Sequence, residues 1–185
     1  MELPAGLTLR SNYLDPDREA VLNRCLDAQP WRSDLKRRVQ HYGWRYDYRA
    51  RRVFDTDNLG PLPPWLQTEA DHLAEQSFFE TPPTQAIVNE YEPGQGIAPH
   101  IDCEPCFGET IASLSLGGRI VMDFRHIRTG ERRSLLLEPG SLLVLNGPSR
   151  YEWTHGIAAR KTDLINGVRE PRTRRISITF RTVIV

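Results

Sequence analysis

The second half of the chain alternates between hydrophobic and polar positions with the period of two that is typical of β-strands. Short segments with this pattern recur at intervals of roughly ten residues and are separated by turns rich in Gly, Pro and Asn. They lie at residues 85–91, 110–116, 119–125, 132–138, 141–145, 150–155 and 176–185. Short strands joined by tight turns predict two packed sheets, so we expect a jelly roll over about residues 85–185.

Two helical segments precede these strands. The first follows Asp15-Pro16-Asp17, which offers an N-cap, a proline at the first helical position and an early acid. The second is amphipathic and runs from about Trp65 to Ser77. We expect these helices to support the sheet. The predicted fold class is therefore α+β, mainly β: a double-stranded β-helix, or jelly roll, with supporting N-terminal helices.

The length and composition suit one compact domain, residues 1–185, because 39% of the 185 residues are hydrophobic. No apolar run approaches the length of a membrane span, and the amino terminus lacks the basic flank and apolar core of a signal peptide. The three cysteines, an odd number, argue against a disulfide framework and agree with a reducing compartment. We therefore expect a cytoplasmic protein with no membrane partner.

Cations and aromatic rings alternate over residues 36–54. The whole chain has 24 Lys and Arg against 24 Asp and Glu, so any affinity for nucleic acid must come from a local patch of this kind. Aromatic rings can stack on bases, and arginines can bind phosphates. The alternation about Gly43 predicts two short strands or a strand-rich flap. The alternative is a half-buried edge hairpin whose arginines are solvated.

The sequence also contains candidate metal ligands. In an extended His100-x-Asp102 segment both side chains lie on one face, so an imidazole nitrogen and a carboxylate oxygen can reach one ion. This tripeptide alone is a weak signal. His155 supplies a third candidate, and two histidines with one carboxylate form the facial triad of non-haem Fe(II) oxygenases.

The last predicted strand carries polar groups on one face, where Arg175, Ser177, Thr179 and Arg181 alternate with apolar residues. A guanidinium binds a carboxylate through two parallel hydrogen bonds. Anchoring a dicarboxylate such as 2-oxoglutarate requires such a group.

These motifs, in this order and with these spacings, resemble the AlkB family of Fe(II)- and 2-oxoglutarate-dependent dioxygenases over about residues 35–183. The matching positions are Asn89-x-Tyr91, His100-x-Asp102, His155 with the following Gly, Arg175 and Arg181. The resemblance implies Fe(II) bound by His100, Asp102 and His155, with O2 and 2-oxoglutarate as cosubstrates. It further implies that Arg175 pairs with the distal carboxylate of 2-oxoglutarate. The other cosubstrate residues that it implies are Asn89, Tyr91, Ser177 and Arg181.

The resemblance also assigns a substrate region. Residues 36–54 match the nucleotide-recognition lid of the family, which makes Trp44, Arg45 and Tyr46 candidate substrate contacts. Glu104 stands where repair members of the family carry an acid that contacts the damaged base. An exposed loop glutamate is the alternative interpretation.

The implied reaction is oxidative demethylation of N-alkylated bases in DNA or RNA, of the 1-methyladenine or 3-methylcytosine type. It would release formaldehyde, succinate and CO2. Several segments are also similar to the family branch that hydroxylates wobble uridines in tRNA, so a tRNA hydroxylase is an alternative. A non-catalytic nucleic-acid-binding module and a protein hydroxylase are further alternatives. No obligate protein partner is inferred.

Cys103 and Cys106 form a Cys-x-x-Cys segment directly after the predicted metal carboxylate. A structural zinc site needs about four ligands, and Cys25 is the only other thiol. We therefore expect two neighbouring free thiols.

Overall fold

The strands of the protein form two sheets and a separate hairpin. The computed structural model describes residues 3–33 and 35–185. In chain order its strands are β1 (Leu7–Arg10), β2 (Val39–Tyr42), β3 (Gln85–Tyr91), β4 (Ile97–His100), β5 (Phe107–Gly117), β6 (Ile120–His126), β7 (Arg132–Leu137), β8 (Leu142–Leu145), β9 (Trp153–Ile157), β10 (Thr162–Ile165), β11 (Val168–Pro171) and β12 (Arg175–Val183).

The larger sheet has the strand order β1-β8-β5-β12-β3-β2, and the smaller sheet has the order β4-β9-β6-β7. All the paired strands are antiparallel, and β10 pairs with β11 outside both sheets. This architecture confirms the predicted jelly roll. Because β12 lies between β5 and β3, the predicted polar face of β12 is in the middle of the larger sheet.

Helices α1 (Pro16–Asp27) and α2 (Pro64–Glu75) support the larger sheet, as predicted. The Asp15 side chain accepts a hydrogen bond of 2.8 Å from the Arg18 backbone N–H, which confirms the predicted N-cap. A 3-10 helix (Asp55–Asp57) follows the predicted lid, and a short helix α3 (Pro148–Tyr151) precedes β9. Among the described residues, no helix is long and apolar enough to cross a bilayer.

Two hydrophobic cores lie on opposite faces of the larger sheet. One core joins strand residues such as Val88 and Ile178 to helix residues such as Leu26 and Leu73. The other lies between the two sheets and includes Phe124 of β6. Because successive strand residues point to opposite faces, β3 and β12 contribute to the helix core and to the space between the sheets at the same time.

Several boundaries differ from the sequence-based expectations. Residues 150–151 were expected in a strand but belong to α3, because Pro148 occupies the first helical turn. Strands β1, β4, β10 and β11 were not predicted. Pro99 breaks the strand pattern of β4, which tolerates it as an edge strand.

The predicted lid contains one strand rather than two. β2 pairs with β3, but in the rest of the lid, residues 44–54, the described chain forms only isolated bridges, Trp44 with Asn58 and Asp47 with Arg52. The Asp47 carboxylate accepts hydrogen bonds from the backbone N–H groups of Arg49 and Ala50, at 2.8 and 2.9 Å. Such local bonds favour a turn over a second strand.

Candidate metal and cosubstrate site

The three predicted metal ligands converge between the two sheets. His100 at the end of β4 is paired in register with His155 of β9, and the ring centroids are 4.4 Å apart. Asp102 follows β4 by two residues, and its Oδ2 lies 3.8 Å from Nε2 of His155. One potential ligand atom from each residue lies within 4.8 Å of the other two. This arrangement allows all three side chains to reach one ion.

The surroundings of both histidines prepare them for metal binding. Nδ1 of His100 lies 2.9 Å from the carbonyl oxygen of Ala98. Because a carbonyl can only accept, Nδ1 carries the proton and Nε2 is left for a metal. Burial lowers the pKa of His155 to about 4, although the carboxylate of Asp102 acts in the opposite direction. His155 is therefore neutral at pH 7, which is the form that binds metals.

Only one of the two carboxylate oxygens of Asp102 has a hydrogen-bond partner among the described residues. Nη2 of Arg181 donates a hydrogen bond of 2.8 Å to Oδ1, while Oδ2 is buried and has no hydrogen-bond partner among the described residues. Burial alone would raise the pKa of Asp102, but Arg181 and both histidines hold it well below its usual range. A charged, buried oxygen without a partner beside two imidazoles fits a divalent cation.

Arg175 lies at the inner end of the same cavity and is 1% exposed. Nη2 donates a hydrogen bond of 2.9 Å to the Ser115 hydroxyl, whereas Nε and Nη1 are buried with no partner among the described residues. Burial lowers the pKa of Arg175 to about 10, so the group stays charged at neutral pH. A buried cation with two unused donors fits a carboxylate.

The remaining predicted cosubstrate residues line this cavity as well. In the register of β12 and β3, Arg175 is opposite Tyr91, and Ser177 is opposite Asn89. All four line the space that contains the metal triad and Arg181, which we call the inner cavity. Its apolar walls come from residues such as Met122, Leu143 and Leu145. The inner cavity therefore combines a candidate metal site with a candidate anion site.

A second cavity opens above the inner cavity and shares His100, Asp102 and Arg181 with it. We call it the mouth, and its outer wall consists of Arg37, Tyr46, Tyr48, Arg51 and Phe107. The Tyr46 ring centroid lies 5.2 Å from that of Tyr48 and 5.8 Å from that of Phe107. Aromatic rings and cations thus line a cavity that adjoins the candidate metal site.

Of the four predicted substrate residues, only Tyr46 lines the mouth. Trp44 lines a separate groove beside Asn58, and the Arg45 guanidinium forms an ion pair of 2.8 Å with Asp57. Glu104 is exposed in a turn and lines neither the mouth nor the inner cavity.

Sequence reasoning missed four of the five residues of the outer wall of the mouth: Arg37, Tyr48, Arg51 and Phe107. Tyr48 could have been found, because it is two positions from Tyr46 in an alternating segment. Arg51 follows in the same basic segment, with no signal that separates it from its neighbours. Arg37 gave no local signal, since its position depends on a hydrogen bond of 2.8 Å from its Nε to Oδ1 of Asn89. That bond connects the mouth to the wall of the inner cavity.

The prediction of free thiols at Cys103 and Cys106 is wrong, because the two residues form a disulfide. A turn after Asp102 brings their Cα atoms to 5.3 Å, and the Cys106 backbone N–H donates to the Cys103 carbonyl. This Cα separation is in the range that disulfides require. Sulfurs bonded to each other are not thiolate ligands, so the disulfide form offers no zinc site at these residues.

Comparison with known proteins decides the family. Residues 6–181 match the family described as the 2OG-Fe(II) oxygenase superfamily. The mitochondrial alpha-ketoglutarate-dependent dioxygenase alkB homolog 7 of Bos taurus is 42% identical over 187 residues, which cover 98% of this chain and 80% of that protein. The chain belongs to the AlkB family of 2OG-Fe(II) oxygenases. An AlkB-family dioxygenase uses Fe(II) and 2-oxoglutarate with O2, as expected from the sequence.

Another relative and a solved structure are also similar to this AlkB-family chain. The tRNA (carboxymethyluridine(34)-5-O)-methyltransferase alkbh8 of Xenopus tropicalis is 38% identical over 168 residues. The match covers 88% of this chain but 27% of that protein, so the chain spans about a quarter of its length. The solved structure of OsALKBH1 has the same fold, with a TM-score of 0.72 at 20% identity, and the match covers 98% of this chain and 99% of that one.

Proposed function

We propose that this AlkB-family dioxygenase demethylates N-alkylated bases in nucleic acid, of the 1-methyladenine or 3-methylcytosine type. The observation that carries the proposal is the mouth, because two tyrosines and two arginines line a cavity that also contains His100 and Asp102 of the triad. Rings are suited to stack on a base, and guanidinium groups to bind the neighbouring phosphates. This combination favours a nucleotide over an apolar or purely anionic substrate.

A base inside a strand must leave the stack before its methyl group can reach the inner cavity. We propose that Tyr46 and Tyr48 hold the flipped base, while Arg37 and Arg51 contact the backbone on either side. The mouth and the inner cavity share His100 and Asp102, so the substituent of a base held in the mouth can reach the triad. Positioning of this kind is the main contribution that a protein makes to such a reaction.

We assign the remaining roles as follows. His100, Asp102 and His155 hold Fe(II), and Arg175 pairs with the distal carboxylate of 2-oxoglutarate, with Asn89, Tyr91 and Ser177 beside it. Fe(II) held there would supply the activation of O2, with one oxygen atom consumed in oxidising 2-oxoglutarate to succinate and CO2 and the other hydroxylating the methyl group. The hydroxymethyl group then leaves the base nitrogen as formaldehyde.

The test is turnover on defined oligonucleotides. The protein is incubated with Fe(II), 2-oxoglutarate and single strands that carry 1-methyladenine or 3-methylcytosine. Formaldehyde and succinate are then quantified and compared with those of unmethylated strands. We expect methyl-dependent formaldehyde release that disappears in His100→Ala and weakens in Tyr46→Ala. The proposal fails if succinate forms but none of the alkylated strands gives methyl-dependent formaldehyde.

Hydroxylation of a modified uridine in tRNA is the second candidate, favoured by a specific observation. Glu104, whose residue type suggested repair, is exposed and lines neither cavity. The relative from Xenopus tropicalis is moreover named for tRNA modification. Incubation with tRNA followed by mass spectrometry of its nucleosides would show a gain of one oxygen atom. A gain in tRNA without formaldehyde release from alkylated strands would select this candidate.

Two other expectations remain proposals. Binding of oligonucleotides without any succinate formation would support a non-catalytic module, and turnover on peptides alone would support a protein hydroxylase. A single domain and a cytoplasmic location also stay predictions.

A further inference from the structure

Arg150 is a buried arginine that the proposed reaction does not use. It belongs to α3, five residues before His155, and is 2% exposed. Burial of a guanidinium is costly unless its donors find partners, and burial lowers the pKa of Arg150. A buried arginine is therefore expected to make specific contacts that offset this cost.

Two nitrogens of Arg150 donate to main-chain carbonyls, whereas Nε is buried with no partner among the described residues. Nη1 donates a hydrogen bond of 2.9 Å to the backbone oxygen of Asp102, and Nη2 donates one of 3.4 Å to that of Cys103. The guanidinium carbon also lies 4.9 Å from the ring centroid of Tyr151. The planar fork thus joins two consecutive carbonyls, one of which belongs to a metal-ligand residue.

These carbonyls lie where the sheet no longer holds the chain. The ladder between β4 and β9 has its last pair at His100 and His155, so Asp102 and Cys103 lie beyond it and outside any strand. Buried carbonyls outside secondary structure need another donor. For Asp102 this donor is Arg150, from the segment that leads directly into His155, whereas the Cys103 carbonyl also accepts from the backbone N–H groups of Cys106 and Phe107, at 3.3 and 3.2 Å. Arg181, by contrast, bonds Asp102 at Oδ1 of its carboxylate.

We propose that Arg150 is a positioning residue that fastens the main chain of Asp102 to the segment carrying His155. The two segments are distant in sequence, and Arg150 is the described side chain that bonds the backbone of the first while belonging to the second. It sets where the carboxylate of Asp102 meets the two imidazoles. The inference deepens the proposed function, since it rests on the triad being the metal site, but it does not depend on the substrate.

The test measures binding of Co(II) alone, as a spectroscopic substitute for Fe(II), to the metal-free protein. In Arg150→Met, which keeps the bulk but removes the donors, we expect about 10- to 100-fold weaker Co(II) binding, as for other supports of metal ligands. The ligand-field bands of Co(II) should also change, because the geometry of the carboxylate changes. Arg150→Lys, which keeps one point donor, should fall between Arg150→Met and the unchanged protein.

Arg172→Lys is the matched control. Arg172 is 6% exposed, pairs with Asp163 and donates a hydrogen bond of 2.8 Å to the Ala158 carbonyl, but it does not bond any triad residue. This variant should lose thermal stability while keeping the Co(II) affinity and bands of the unchanged protein. Unfolding midpoints without metal are recorded for all variants.

Unchanged Co(II) affinity and bands in Arg150→Met would overturn the inference. Equal weakening in Arg150→Met and Arg172→Lys would also overturn it, because the effect would then be one of general stability. If Arg150→Met does not fold, Arg150→Lys decides: normal affinity and bands overturn the inference, and weaker binding by a folded variant supports it. Failure of the proposed demethylation would appear separately, as absent turnover by an unchanged protein that binds Co(II) normally.

Discussion

The inner cavity and the mouth are built from different kinds of structure. The candidate cosubstrate residues of the inner cavity lie on paired strands, where Arg175 faces Tyr91 and Ser177 faces Asn89 across one ladder. The outer wall of the mouth comes largely from irregular chain after β2, where Tyr46, Tyr48 and Arg51 lie between isolated bridges. The difference suggests a division of labour. Under the proposed function, the paired strands position the cosubstrate residues, and the loop residues contact the substrate.

The largest effect is expected from the triad. His155→Ala removes one of three protein ligands, and we expect succinate formation to fall by more than about 100-fold, since a bound metal contributes several kcal/mol to the reaction. His72→Ala is the control, because His72 lies on α2, where it contacts Arg18. Turnover by His155→Ala close to that of the control would show that the triad is not the metal site.

The next effect is expected at the inner end of the cavity. Arg175→Met should raise the KM for 2-oxoglutarate by about 30-fold or more, because loss of one partner of a buried charge pair costs at least about 2 kcal/mol. Steady-state succinate formation at varied 2-oxoglutarate measures it. Co(II) affinity should be unchanged, since Arg175 does not contact the triad. An unchanged KM would remove Arg175 from the cosubstrate site.

The mouth should respond differently. Tyr46→Ala and Tyr48→Ala should each raise the KM for the oligonucleotide about 5- to 150-fold, from the roughly 1–3 kcal/mol that stacking contributes per base. The KM for 2-oxoglutarate should stay the same. Trp44→Ala is the matched aromatic control and should leave both constants unchanged, because Trp44 lines another groove. If Trp44→Ala has the larger effect, the substrate enters elsewhere.

The smallest effect is expected from the ion pairs that attach the chain on either side of β3 to Glu90 of that strand. Arg38, just before β2, and Arg174 donate hydrogen bonds to Glu90 of β3, each at 2.6 Å. The bond from Arg38 is the largest cause that lowers the pKa of Glu90, with Arg174 acting in the same direction. A lowered folded-state pKa means that Glu90 stabilises the fold above its unfolded pKa of about 4.3. This stability is lost as the pH falls through the lower, folded value.

Urea unfolding of the unchanged protein and of Glu90→Gln checks this prediction. At pH 7 the unchanged protein should be more stable by about 1 kcal/mol, a modest figure because Arg38 is partly exposed. The difference should shrink as the pH falls below about 4. A difference that is equal at pH 7 and pH 3 would show that the charge of Glu90 is not its cause.

The difference between paired strands and irregular chain also explains which site residues could be predicted from the sequence. Strand alternation placed Arg175, Ser177 and Arg181 on one face, and the structure has them there, because a strand leaves a side chain only two directions. The loop offers no such rule. Arg45 was predicted to contact the substrate, but its guanidinium forms an ion pair with Asp57. Arg37 lies at the mouth because it donates a hydrogen bond to Asn89, which is 52 residues away in sequence. Contacts of this kind depend on tertiary structure.

The Cys103–Cys106 disulfide affects how activity assays of this protein should be compared. Cys103 directly follows the carboxylate of the triad and also lines the mouth, so a reagent that cleaves the bond changes the covalent structure next to the reactive centre. Dithiol reductants added to keep iron ferrous act on such bonds as well. Assays run with dithiothreitol and assays run with ascorbate would then compare two chemical forms of one protein. The thiol content of each preparation should therefore be measured before rates are compared.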